Sequence, residues 1–363
     1  MVDRHTVTVE PLGVEIECRE DQTILDACLR AGVWVPHSCT HGTCGTCKAE
    51  LVDGDVDHGD SSSFALMDFE RDEKLLMCCA RPRGPVVVEA DMDADEETPS
   101  HAVDDYTGTV TLVEDIALDT RRVVVELDRD MAFDAGQYMA WHLPPALVGG
   151  KEGVTRTYSM ANPPSSGRTL EFHVRRTPGG ACSDGWVFAG LAAGERLSLT
   201  GPYGRFVVRM SRPDRAVLIA GGTGLAPIAS MIKRVLLDGE SEHGAGPAHL
   251  SLYQGARTRE ALYDVELFTD LAARFPDRFT YRPCLSEETA EGYASGMVTD
   301  VLAADHASLR GHVAYVCGPP AMVDAAMKTL MSRQLFPRDM FREEFLDESN
   351  RANGTIRSPL IKR

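Results

Sequence analysis

Three cysteines at C-x4-C-x2-C spacing, Cys39, Cys44 and Cys47 in the stretch CTHGTCGTC, constrain the first third of this chain more tightly than any other feature. About thirty residues later, LLMCCARP brings two more, Cys78 and Cys79. One loop and a distant strand can therefore supply four thiolates, the ligand set of a plant-type [2Fe-2S] cluster. The residues between the first three cysteines are small: Thr40, Gly42, Thr43, Gly45 and Thr46. A backbone wrapped around a cluster must aim N–H groups at sulfur. Bulky side chains would block that approach, and glycine adopts conformations other residues avoid. A zinc site would more often pair two C-x2-C knuckles, and only one is present. His37 and His41 flank the loop, but with all four ligands available as cysteine they read as surface or hydrogen-bonding residues.

The 363 residues suggest two or three domains, and a hydrophobic content of 43% is ordinary for globular cores. No apolar run approaches the roughly 20 residues of a membrane span. The opening MVDRHTVTVE alternates like a strand and lacks the apolar core of a signal peptide, so a cytoplasmic protein is expected. Cysteines outside the cluster set are scattered, as reduced thiols would be. The net charge of −18 argues against nucleic acid or an anionic membrane surface as partner. Residues 1–100 carry 22 Asp and Glu against 8 Lys and Arg. That excess is either a solvated acidic surface or a docking face for a basic partner.

Taken in order, residues 5–9 and 14–18 alternate as a hairpin, and Thr23 caps a short helix over TILDACLR that Gly32 ends. Strands at 49–52 and 86–89 and a helical turn near 64–69 complete a β-grasp module over residues 1–92. Residues 93–105 are acidic and aperiodic, an extended linker. Residues 106–208 hold six short strand-like runs separated by turn residues, which predicts an antiparallel β-barrel. A helix is predicted from Ser183, with Trp186, Val187 and Phe188 packing inward. Over 209–340, apolar runs alternate with amphipathic segments 226–237, 259–273 and 321–334, implying a parallel sheet with helices on both faces. Residues 341–363 read as a C-terminal tail.

Arg156-Thr157-Tyr158-Ser159 is the first chemical constellation of the barrel. An arginine can grip a pyrophosphate bidentately. A tyrosine two residues on shares its strand face and can stack on an isoalloxazine, and Ser159 can hydrogen-bond near flavin N5. Alone, the four residues fit an exposed strand better than a flavin site. They are followed by His173-Val174-Arg175 and then by Gly180-Ala181-Cys182-Ser183 at a helix start, where small residues form a phosphate site. The three motifs in one barrel point to FAD. Further on, Gly222-Thr223-Gly224 lies between a buried strand and a helix, the context of a pyrophosphate-binding turn. It departs from G-x-G-x-x-G, with Pro227 where the third glycine would stand; proline suits a first helical turn. Cys317-Gly318-Pro319 closes the last strand of the pattern, where ligands of open α/β sheets bind. Cys317 is a packing residue or a neighbour of a nicotinamide.

With these motifs in view, the chain resembles the reductase components of bacterial multicomponent oxygenases, ordered ferredoxin, FAD domain, NAD domain. The last two look like the ferredoxin–NADP reductase superfamily. SSFALMDFERDE, SMANPPS, QGARTREALYD and YVCGPPAMVDAA are similar to phenol hydroxylase reductases of the soluble di-iron monooxygenase systems. The resemblance implies that Cys78 is the fourth cluster ligand and Cys79 its neighbour, and that Arg156, Tyr158 and Ser159 hold the flavin. It implies that Gly222, Thr223, Gly224, Cys317, Gly318 and Pro319 line the nucleotide site, with Glu343 and Phe345 near the flavin. Some relatives carry arginine after the first cluster cysteine, where this chain has Thr40 and His41. A nicotinamide gives two electrons as hydride and a cluster takes one, so a flavin must mediate. Ser159, Cys317 and Glu343 would then orient nicotinamide C4 against flavin N5. The resemblance favours NADH; Arg257 is either a contact for a 2′-phosphate or a solvated residue. The implied partner is a di-iron oxygenase hydroxylase, and the alternative is a Rieske aromatic-ring dioxygenase.

Overall fold

Alternation along the first strands decides the first sheet. Val7, Val9, Ile16 and Cys18 turn inward while their neighbours face solvent, so β1 (Arg4–Glu10) and β2 (Val14–Arg19) pair as an antiparallel hairpin. In this computed structural model, residues 2–37, 40–92, 101–212, 214–238 and 246–345 are described. They form two compact units, Met1–Asp104 and Asp105–Arg363.

In the first unit, α1 (Ile24–Arg30) is capped by Thr23, whose hydroxyl accepts the Asp26 N–H at 3.3 Å. Ile24, Leu25, Cys28 and Leu29 form its buried face. Each such aliphatic side chain contributes about 1.5–3 kcal/mol by leaving water. The sheet continues through β3 (Lys48–Asp53), β5 (Lys74–Leu76) and β7 (Val86–Ala90), in the order β2-β1-β7-β3-β5. The β1–β7 pair is parallel and its flanking pairs antiparallel, the β-grasp arrangement. A small ribbon of β4 (Val56–Asp57) and β6 (Arg81–Pro82) lies outside it. Of the linker expected at 93–105, residues 93–100 lie outside the described residues, and Asp104 and Asp105 already belong to the next strand.

In the second unit, a six-stranded antiparallel sheet runs β11-β10-β13-β8-β9-β12. Its strands are β8 (Asp104–Ala117), β9 (Thr120–Leu127), β10 (Tyr138–His142), β11 (Thr155–Ser159), β12 (Thr169–Arg175) and β13 (Arg196–Tyr203). A bridge between Met160 and Phe172 joins the two outer strands and closes the barrel around Val123, Val125, Trp141, Phe172 and Leu199. The helix expected from Ser183 is one wide helical turn, Ser183–Phe188; Trp186 and Val187 are buried, and Phe188 lies partly exposed under the Arg121 guanidinium.

The sheet of the α/β lobe is parallel, in the order β17-β16-β15-β14-β18-β19. Central β14 (Arg215–Gly221) is buried on both faces. Ala216, Leu218 and Ala220 face α2 (Leu225–Leu236) and α3 (Val265–Arg274). Val217 and Ile219 face α4 (Val298–Asp305) and α5 (Pro320–Ser332). The other strands are β15 (His249–Ala256), β16 (Phe279–Leu285), β17 (Ala294–Ser295), β18 (His312–Gly318) and β19 (Met340–Glu344).

Three expectations change here. The helix read over 259–273 begins only at Val265: after one turn at Arg259–Ala261, Leu262 is extended and Asp264 has φ +57°. Helix α4 is short enough to escape a periodicity search, though Val298, Val301 and Leu302 mark its buried face. The tail expected from 341 starts inside β19, which pairs with β18 because Met340 and Arg342 are buried. Leu346 onward lies outside the described residues. Among the described residues, no helix is long and apolar enough to cross a membrane.

The barrel and the α/β lobe share one unit and are tied by direct bonds. The Leu118 N–H donates to the Glu260 carbonyl at 2.8 Å, Ser230 Oγ to the Asn162 carbonyl at 2.6 Å, and Lys233 Nζ to the Ala161 carbonyl at 3.0 Å.

Candidate functional site

In the first unit, the cysteine loop is held to the strand that carries its distant partners. The Met77 N–H donates to the Cys47 carbonyl at 3.0 Å, extending the β3–β5 pairing to Cys47 and Met77, next to Cys78. Cys47, Cys78 and Cys79 are buried; Cys44 is exposed. Cys39 lies outside the described residues. The Thr46 N–H points at Cys44 Sγ, 3.5 Å away, the kind of donor a ligating thiolate requires. Gly42 has φ +77°, and a Cβ there would stand 2.6 Å from Cys79 Sγ, so only glycine lets the loop backbone approach the thiols this closely. Cys78 and Cys79 Sγ are 3.7 Å apart. N–H donors on sulfur, a glycine cradle and clustered buried thiols fit an iron–sulfur cluster. His37 Nδ1–H donates to the Val35 carbonyl, 2.7 Å away, a local hydrogen-bonding role.

In the second unit, folding gathers the barrel motifs. Tyr158 and Cys182 share a hydrogen bond, and the Arg156 guanidinium acts on both. The first motif, on β11, therefore meets the small-residue loop before Ser183. Burial raises the Tyr158 hydroxyl well above its ordinary range and also raises the Cys182 thiol. The Tyr158 ring also rests 4.7 Å from Trp141. The loop closes on itself: Ser183 Oγ accepts the Thr177 N–H, Asp184 accepts the Gly179 N–H, and the Gly180 N–H donates to the Thr177 carbonyl. Gly180 thus shapes the loop instead of offering its N–H outward. Val174 is wholly inside the barrel core, whereas Arg175 is exposed. The arginine, the tyrosine and a helical turn at a small-residue loop fit a flavin nucleotide.

Ser159, Cys317 and Glu343, distant in sequence, converge. Ser159 Oγ donates to Glu343 Oε2 at 3.5 Å, and Cys317 faces Glu343 across the β18–β19 register. Burial raises the Glu343 carboxyl to about 7, against the hydrogen bond from Ser159 that lowers it. Burial, then the nearby Glu343, hold the Cys317 thiol well above its ordinary range. Tyr138 pairs with Ser159 across the barrel strands and stacks on Tyr203 at 5.7 Å. Neither tyrosine announces itself in the sequence, since each reads as a strand aromatic.

The glycine turn lies at the carboxyl ends of β14 and β18. A Cβ on Gly224 would collide with the Cys317 carbonyl, and one on Gly318 would lie 3.0 Å from the Gly221 carbonyl. Two strand ends and the start of α2 therefore meet backbone to backbone, leaving a surface that a nucleotide can approach closely. Arg175 reaches over the turn, its Nη1 3.6 Å from where a Gly222 Cβ would be. The Phe345 N–H bonds the Gly318 carbonyl at 3.1 Å. Pro319 precedes α5 as its N-cap.

A buried polar network beneath the turn was not legible in the sequence. His173 shares hydrogen bonds with Glu171 at 2.9 Å and Tyr263 at 3.1 Å, and Arg122 binds Glu114, Glu171 and Asp264. Burial alone would raise the Glu171 carboxyl, but His173, Lys233 and Arg122 outweigh it and hold it at about 2.

Comparison with known proteins places the whole chain. It matches the 2Fe-2S iron-sulfur cluster binding domain over residues 7–83, the oxidoreductase FAD-binding domain over 107–208 and the oxidoreductase NAD-binding domain over 218–328. It is 45% identical to the reductase component of phenol 2-monooxygenase from Pseudomonas sp. (strain CF600), covering 99% of both chains. It is 41% identical to the reductase subunit of an aromatic O-demethylase from Amycolatopsis sp., covering 95% of this chain and all of that one. Among solved structures, the Amycolatopsis cytochrome P450 reductase superposes with a TM-score of 0.82 at 41% identity, over 94% of this chain and 98% of that one.

Proposed function

We propose, since the chain belongs to the ferredoxin–FAD–NAD reductase components of multicomponent oxygenases, that its partner is a di-iron hydroxylase acting on a phenol-like aromatic compound. The chain is the reductase of such a system: it oxidises NADH and delivers single electrons to an oxygenase. When bound, FAD supplies the exchange between hydride and single electrons, and the [2Fe-2S] cluster carries one electron at a time. Its place is the cytoplasm, where NADH is made.

The residues divide that work. Cys39, Cys44, Cys47 and Cys78 hold the cluster. Arg156 and the turn around Ala181, Cys182 and Ser183 hold the flavin pyrophosphate, and Tyr158 packs on the ring system. Gly222, Thr223 and Gly224 take the nicotinamide nucleotide at the start of α2, with Gly318 and Pro319 opposite. Ser159, Cys317 and Glu343 surround the reacting end and exclude water there; Ser159 Oγ–H donates a hydrogen bond to Glu343. NADH is favoured over NADPH because the cations at the end of β15 are already matched. Arg257 Nε stands 3.6 Å from Glu287, and Glu288 takes both the N–H and Nε of Arg259. A 2′-phosphate would meet those carboxylates.

The full-length identity to phenol 2-monooxygenase and phenol hydroxylase reductases carries the di-iron reading. The cytochrome P450 reductase relative and a 32% identical naphthalene dioxygenase-system reductase mark the competing acceptors. The deciding experiment offers NADH and this protein in turn to a phenol-oxidising di-iron hydroxylase, a cytochrome P450 and a Rieske oxygenase. Product formation should be greatest with the di-iron hydroxylase. Turnover confined to either other acceptor would overturn the assignment.

A further inference from the structure

The buried network under the glycine turn spans barrel and α/β lobe. Strand β12 contributes Glu171 and His173, β9 contributes Arg122, and the segment before α3 contributes Tyr263 and Asp264. Glu171, His173 and Asp264 could be taken for a metal site by their proximity. Arg122 binds both carboxylates, and Lys233 Nζ lies 3.6 Å from Glu171, so the negative charge a cation needs is already balanced.

What the network does instead follows from its last member. The Tyr263 ring is buried edge-on to His173, with centroids 5.0 Å apart. Its hydroxyl lies 3.1 Å from His173 Nδ1 and donates to the Gly222 carbonyl at 3.3 Å. Glu171, ionised, can only accept from His173 Nε2, and a tyrosine hydroxyl that gives its one hydrogen to the Gly222 carbonyl must accept from Nδ1; the ring thus donates from both nitrogens, which fixes the imidazole and with it the position of the tyrosine hydroxyl. Gly222 has φ +55° and begins the turn. Its carbonyl and the Thr223 N–H belong to one rigid trans peptide plane and point in opposite directions. Pinning the carbonyl therefore orients the Thr223 N–H, one of the donors at the start of α2.

We propose that Tyr263 is a positioning residue for the nicotinamide nucleotide: anchored through His173 and Glu171 to the flavin barrel, it holds the Gly222–Thr223 peptide so that the turn presents its N–H groups to the pyrophosphate. The inference rests on the reading of this turn as the nucleotide site. It also explains why the chain stays extended at Leu262 and resumes as a helix only at Val265.

The test is Tyr263→Phe in the full-length holoenzyme, which keeps the ring and removes only the hydroxyl. Steady-state NADH oxidation should show KM raised about fivefold, equivalent to about 1 kcal/mol, with kcat, flavin content and cluster absorbance unchanged. A purely structural role would lower kcat and release flavin together. Thr223→Glu, at a half-buried position of the turn, serves as the second arm: a carboxylate there should repel the pyrophosphate and raise KM more than tenfold. If Thr223→Glu raises KM and Tyr263→Phe leaves it unchanged, the positioning role is overturned and the site assignment stands. If neither variant changes KM, the turn is not the nucleotide site and both readings fall. A fall in kcat with flavin loss in Tyr263→Phe also overturns the positioning role.

Discussion

Glu343 is the residue whose environment departs furthest from what its sequence position suggests. It stands in what reads as a polar tail, yet it is partly buried in β19 beside Ser159 and Cys317. Burial raises its carboxyl from 4.5 to about 7. The folded state therefore resists ionising a group that the unfolded chain ionises freely. Stability falls as pH rises through this interval and changes no further above it. Glu343→Gln removes the ionisation. Relative to the native chain, its melting midpoint should climb steadily from about pH 5 to about pH 7 and then level off. Thermal melts of both proteins across that range check this; a difference that stays flat would show that Glu343 does not titrate there. Cys317, opposite it, would not share the transition, since its thiol is held above its ordinary range.

At the scale of elements, the glycine turn and α2 show how closely the proposed nucleotide site depends on packing. Gly224 lies where β14 passes into α2, with the Cys317 backbone against it. Gly224→Ala would force two strand ends apart, a strain of about 1–3 kcal/mol concentrated at the site. NADH oxidation should fall by at least tenfold while the cluster absorbance, which belongs to the other unit, stays. Wild-type kinetics in Gly224→Ala would mean that the close approach is absent in solution. This element was legible because its signals are local: a buried strand, a run of small residues, and a proline permitted only in the first turn of a helix. The hairpin β1–β2 and the Thr23 cap were legible for the same reason. What escaped reading depends on tertiary contacts. Arg122, Glu171, Tyr263 and Asp264 have no common motif, and their role exists only once β9, β12 and the segment before α3 meet. Residues 259–273 have helical periodicity throughout, but Tyr263 is drawn into the network and the helix is delayed to Val265. Strand β19 was missed because Arg342 and Glu343 look like solvent-facing charges; the sheet edge and the site bury them.

For the whole molecule, the distribution of charge carries the remaining argument. Of the formal charge of −18, −14 falls within residues 1–100, the segment that holds the cluster cysteines. Such a field can do little for hydride transfer, which belongs to the FAD- and NAD-binding domains of the other unit, where we propose that Ser159, Cys317 and Glu343 surround the reacting end. It can steer a protein partner toward the cluster-bearing unit if that partner presents basic residues, and steering of this kind weakens as salt shortens the screening length from about 10 Å at 0.1 M to about 3 Å at 1 M. The two electron-transfer steps should therefore separate by ionic strength. Stopped-flow bleaching of the flavin by NADH should change little between about 0.05 M and about 0.5 M salt, while transfer from the reduced protein to the oxygenase should slow about tenfold over the same range. Equal rates to the oxygenase at both salt concentrations would identify the acidic residues as a solvated surface with no part in docking. A slowing shared by the NADH step would place the effect in the nucleotide site. Charge-reversing substitutions at Asp68 and Glu73, both exposed on the first unit, should reproduce part of the slowing at low salt and leave flavin reduction as it is, which ties the effect to this surface and not to ions acting on the partner alone.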